Sequence, residues 1–168
     1  NVIKKSDVKI IFIPNPNQPI EDNLSLKDIS KLCKECRKRK ILLVIDEAYD
    51  MYGSKSSIDL YKKFNNILIL RTLSKSFGLP SVRFGYIVGN ESIIKIFDTY
   101  RLSYESNFLT DHVVRYFIKN IKFVKKYISK VKIGRDFFKK QIQNLGFKVY
   151  GGKSNFLLID FEDINFKK

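Results

Sequence analysis

"NILILRTLSKSFGLPSVRFGY", residues 66–86, decides how the chain is read. Residues 67–70 are apolar and branched, as a buried strand requires. That strand runs without a spacer into Thr72, Ser74, Lys75 and Ser76, and Arg83 follows eight positions after the lysine. A lysine at a strand end serves as a solvated charge, a phosphate ligand or a nucleophilic amine. Its neighbours must distinguish these.

Working outward, "VKIIFIP" (8–14) and "ILLVI" (41–45) read as two more buried strands, and "RFGYIVG" (83–89) as a fourth. Between the first two lie a polar, proline-bearing loop, "NPNQPIEDN" (15–23), and a helix. Ser25 caps that helix, with Asp28 three residues on, and it runs to about Arg39. A short helical segment follows at 58–64. Strands apolar on both faces and alternating with helices predict an α/β fold, with a mostly parallel sheet covered on both sides. Functional loops then belong at the carboxyl ends of the strands. Residues 15–19, 46–49 and 72–76 all fall there, so they converge on one rim.

From Glu91 the pattern is helical. Ile121, Val124, Ile128, Val131, Phe138, Ile142 and Leu145 form the apolar stripe of one long helix, which tolerates Gly134 and stops at Gly146. "FKVY" (147–150), a "GGKS" turn and "NFLLIDF" (155–161) read as two strands of a different layer. A domain change is placed near Asn120, dividing the chain into 1–119 and 120–168.

Composition narrows the function classes. In 168 residues, 44% apolar and 14% aromatic content suffices for a packed core. No apolar run reaches the roughly 20 residues that span a bilayer, and no signal-peptide pattern is present. The chain opens on Asn1 and enters a strand almost at once, as an excerpt of something longer would. The formal charge of +15 favours polyanions in general. Yet the lysines are dispersed, and the densest cluster, "KECRKRK" (34–40), sits at a helix C-terminus, where cations suit the dipole. Aromatic residues fall at core periodicity and not as a stacking platform, so no specific nucleic-acid partner is expected. Cys33 and Cys36 lie on the apolar face of the first helix. With His112 as the one imidazole, they make no zinc set and read as reduced core residues of a cytoplasmic protein. His112 itself reads as structural.

The rim residues carry the chemistry. Asp46 ends a buried apolar run and needs a cationic or N–H partner. Tyr49 adds a phenol from the same loop, Thr72 and Ser74 add hydroxyls, and Arg83 adds a planar guanidinium suited to phosphate. Lys75 lies among them as an amine available for nucleophilic work. A carboxylate, a phenol, phosphate donors and an amine together match the needs of pyridoxal 5'-phosphate.

"DEAY" (46–49) and "TLSKSFGLPSVRFGY" (72–86), with 29 positions from Asp46 to Lys75, resemble the fold-type I pyridoxal-phosphate-dependent aminotransferases of class I/II. Within them the match is to the histidinol-phosphate aminotransferase group. The resemblance implies that residues 1–119 are part of the cofactor-binding large domain. Residues 120–168 are then the interdomain helix and the beginning of a small α+β domain. It implies a Schiff base on Lys75, Asp46 at the pyridine nitrogen, Tyr49 at the phenolic oxygen, and Thr72, Ser74 and Arg83 at the phosphate. The family's Asn-Pro-Thr-Gly, whose asparagine reaches the cofactor's phenolic oxygen, reads "QPIE" here. That puts Gln18 in the asparagine's place as a cofactor-binding residue and Glu21 in the glycine's; Asn17 is an alternative donor to that oxygen. Pro80-Ser81 likewise replaces a common Ala-Gly.

The resemblance further implies a homodimer acting on amino-acid and oxo-acid substrates. It also implies a phosphate loop, a ring-stacking aromatic and a carboxylate-binding arginine that these 168 residues do not supply. Decarboxylation of a phosphorylated amino acid, and a catalytically incomplete scaffold, are the alternatives.

Overall fold

In a computed structural model, residues 7–103 and 105–161 are described, and the outer domain limits placed at 1 and 168 lie outside them. Four strands form one sheet in the order β1 (Ile10–Pro14), β2 (Leu42–Asp46), β3 (Ile67–Thr72) and β4 (Gly85–Gly89). β1 pairs parallel with β2, and β2 parallel with β3. β4 returns antiparallel to β3, with Thr72 opposite Gly85. The reason is the connection. A parallel partner needs a crossover element, whereas the segment after β3 carries only a 3₁₀ turn at Pro80–Val82 and folds straight back.

Helix α1 (Leu26–Lys38) connects β1 to β2. The Ser25 hydroxyl accepts from the Asp28 N–H at 3.2 Å and donates to the Asp28 carboxylate, which satisfies an otherwise orphaned helix donor. Ile29, Cys33 and Cys36 on its inner face pack against Ile41, Leu43, Ile45, Ile67 and Ile69. Each isoleucine or leucine among them contributes about 1.5–3 kcal/mol on full burial. Both cysteines are free, and burial pushes the Cys33 thiol up to about 11. The expectation of two-sided cover holds for the central strands β2 and β3. On the outer strand β1, Ile10 and Phe12 are 59% and 54% exposed, because α1 covers the opposite face.

Three helices follow, α2 (Glu91–Thr99), α3 (Phe108–Lys119) and α4 (Ile121–Asn144). His112 Nδ1 donates to the Phe108 carbonyl one turn earlier, within α3. Asn120 separates α3 from α4. α4 ends where Gly146 takes φ +92, with its N–H on the Gln143 carbonyl. Val124 and Ile128 of α4 pack with Tyr52 and Phe77, which brings this helix against the loops at the sheet's carboxyl rim. β5 (Lys148–Tyr150) and β6 (Leu158–Asp160) form a separate two-stranded antiparallel sheet.

Candidate active site

Parallel pairing of β1, β2 and β3 puts their three following loops on one edge of the sheet. The Asn15 N–H donates to the Asp46 carbonyl, and the Glu47 N–H to the Leu70 carbonyl, so the loops leave the sheet in register. The lysine loop is then fixed through its backbone. The Lys75 carbonyl accepts from Tyr52 Oη at 2.9 Å and from the Gly78 N–H at 3.1 Å. Gly78 is required at its position: it takes φ +67, and an added Cβ would lie 2.9 Å from Cζ of Tyr127 on α4.

Three of the sequence-predicted residues meet. Lys75 Nζ sits 5.6 Å from the centre of the Tyr49 ring, and Tyr49 Oη donates to Gln18 Oε1 at 2.7 Å. Asn17, the alternative donor, is engaged elsewhere: its side-chain oxygen accepts from the Asp22 N–H and braces the loop. Phe156, in the segment entering β6, packs edge-on against Tyr49 at 5.0 Å. Asp46 is half-buried, and its Oδ1 accepts from the Ala48 N–H at 2.9 Å.

The phosphate candidates are arranged differently. Thr72 Oγ1 donates to the Phe84 carbonyl and accepts from the Ser74 N–H, so it shapes the turn that presents Ser74. Arg83 takes φ +54, is exposed, and donates to the Pro80 carbonyl at 3.3 Å. It lines a cavity of about 870 Å³ that runs beside Tyr86, Phe97, Tyr100 and Arg101 and does not include Lys75.

Sequence reasoning missed a buried ionic cluster under the rim. Glu47 is 1% exposed; its carboxylate accepts from Arg71 Nη2 at 2.8 Å, Arg71 Nε, the Ser56 hydroxyl, and the hydroxyl and N–H of Ser57. Arg71 also pairs with Asp50 at 3.0 Å. Burial pushes the Asp50 carboxyl up to about 6, against the pull of Arg71 and with the push of Glu47. The available signal was a lone arginine closing the apolar strand "NILILR" and an acid following Asp46. One cation against two buried acids ties the loop after β2 to the end of β3. Among the described residues no group of three or more His, Cys, Asp or Glu is arranged to hold a metal, and no helix is long and apolar enough to cross a membrane.

A family model described as aminotransferase class I and II matches residues 1–163. A histidinol-phosphate aminotransferase of Thermoanaerobacter pseudethanolicus is 33% identical over 98% of this chain and 46% of its own length. The crystal structure of the histidinol-phosphate aminotransferase from Clostridium acetobutylicum superposes with a TM-score of 0.84 at 25% identity, covering 94% of this chain and 49% of that one. The fold also matches the Sinorhizobium meliloti enzyme solved in complex with pyridoxal-5'-phosphate, at TM-score 0.84 and 20% identity, over 92% of this chain and 42% of that one. The chain therefore spans about half the length of the relatives it matches.

Proposed function

The chain belongs to the class I and II aminotransferases, and from that membership we propose that it forms the lysine-bearing half of a pyridoxal-phosphate-dependent transaminase. The single observation that carries this reading is the meeting of Lys75, Tyr49 and Gln18 at the rim that Asp46 also occupies. The residues fit the cofactor's donor needs: an amine over a phenol, an amide anchoring that phenol, and a half-buried carboxylate whose Oδ2 accepts no hydrogen bond among the described residues. Bound there, pyridoxal phosphate supplies an aldehyde for imine exchange with amines and a ring that withdraws electrons from the substrate α-carbon.

The chain's own groups do the rest. Lys75 Nζ is the amine that would hold the cofactor and that, when free, would move a proton at the reacting carbon. Asp46 would keep a proton on the ring nitrogen. Tyr49 and Gln18, which hydrogen-bond each other here, would both serve the phenolic oxygen, Tyr49 exchanging its bond to Gln18 for that contact. Ser74 and Arg83 would bind the phosphate, with Thr72 setting the Ser74 turn. Substrates are an amino acid, with a phosphorylated amine such as histidinol phosphate the first to test, and an oxo acid. The histidinol-phosphate aminotransferase relatives support that choice. The protein acts in the cytoplasm, consistent with two buried free thiols, and as a homodimer, consistent with the exposed Tyr100, Leu102 and Phe108.

Absorbance tests this directly. Protein mixed with pyridoxal phosphate gains a visible band that Lys75→Ala abolishes, and in the whole transaminase the same change lowers amino transfer by at least about 10³-fold. An equal band in both proteins refutes the assignment. Release of carbon dioxide without an oxo product would move the reaction to decarboxylation.

A further inference from the structure

Glu21 stands where the related motif carries glycine, and its backbone takes φ +64, which glycine adopts without penalty. Its side chain is nine-tenths buried, and Oε1 has no hydrogen-bond partner among the described residues. Both features oppose a glutamate locally. Oε2 supplies the compensating contacts: it accepts from the Gly152 N–H and the Lys153 N–H, each at 2.7 Å, across 131 and 132 positions of sequence. Gly151 and Gly152 take φ +97 and +142, and this left-handed run turns two successive N–H groups toward one anion. The same turn is gripped from its other side by α4. Lys139 Nζ donates to the Gly151 carbonyl, and Arg135 Nη1 to the Ser154 carbonyl at 2.8 Å. Two residues past Ser154, Phe156 lies edge-on to Tyr49.

We propose that Glu21 is a positioning residue that staples the 151–156 turn to the rim and thereby holds Phe156 against Tyr49. The carboxylate completes a bridge from α4, through the glycine turn, to the loop that carries Gln18. Its two ends meet at the phenol whose hydroxyl Gln18 accepts. Glu21 thus sets the position of the Tyr49–Gln18 pair without touching the lysine. The effect on the cofactor rests on the transaminase reading above; the staple itself does not.

The test compares wild type, Glu21→Gly and Glu21→Gln by amide hydrogen exchange without cofactor. Glycine relieves the backbone at position 21, so a purely local role leaves the turn unchanged or better protected. The staple instead requires protection of residues 151–156 to drop about tenfold or more in Glu21→Gly, with α1 unchanged. Glu21→Gln keeps one acceptor oxygen and restores part of the loss. Undiminished protection in Glu21→Gly overturns the proposal and leaves the cofactor reading intact. With pyridoxal phosphate added, the pH midpoint of the lysine-bound band shifts by about half a unit in Glu21→Gly and returns toward wild type in Glu21→Gln. An unmoved midpoint overturns the positioning role even where the turn has loosened.

Discussion

The Lys75 carbonyl is held by Tyr52 Oη and the Gly78 N–H, so the residue's backbone is fixed while its amine projects over Tyr49. Gly78→Ala forces a Cβ into the Tyr127 ring at an unfavourable φ. It should destabilise the protein by about 1–3 kcal/mol, read as a lower denaturant midpoint at constant slope; an unchanged midpoint would mean that α4 does not press on this loop. Asp50 gives a second test. Its carboxyl titrates near 6 when folded, against 3.8 as the ordinary value, so the folded state keeps a proton that the unfolded chain has lost. Its contribution favours folding at low pH and is lost as pH rises from about 4 to about 6. The amount is on the order of 2–3 kcal/mol. Asp50→Asn should flatten that part of the stability–pH curve, with Glu47 and Arg71 still in place. A slope identical to wild type would show that Asp50 is not the titrating group.

At the scale of elements, α1 depends on its cap. Ser25→Ala removes the acceptor of the Asp28 N–H and should cost about 1 kcal/mol, measured by thermal unfolding. The same helix was legible in advance because Ser25, the apolar spacing through Cys36 and the basic last turn all agree. β2 and β3 were legible for a related reason: short branched apolar runs have few other ways to be buried. The parallel pairing of β1 with β2 then followed from the helix between them, and that of β2 with β3 from the long connection that carries the short helical turn at Ile58–Lys62. Together they put the loops of Asp46, Tyr49 and Lys75 on one edge. What stayed hidden rests on contacts that no local pattern encodes. The Glu21 staple spans more than 130 positions, and the Arg71 cluster needs β2 and β3 side by side before its charges meet. The Thr72 hydroxyl was assigned by chemical type, but its partner, the Phe84 carbonyl, appears only once β4 folds back.

Across the whole molecule, one cluster of core residues holds the sheet to α1 and a second holds α4 to the rim loops. The Glu21–Gly152 contact then ties β5 and β6 to the same rim. The site is therefore a product of the assembled parts, although its lysine lies on one strand-end loop. The most direct test exploits the chemistry of that lysine in a chain carrying 32 lysines and arginines. Protein loaded with substoichiometric pyridoxal phosphate is reduced with borohydride, digested, and its modified peptides mapped by mass spectrometry. The account requires the pyridoxyl group to be concentrated on the peptide that contains Lys75, and to vanish from it when free cofactor is removed before reduction in Asp46→Ala. Label spread over surface lysines, with Lys75 no more modified than the others, would contradict it.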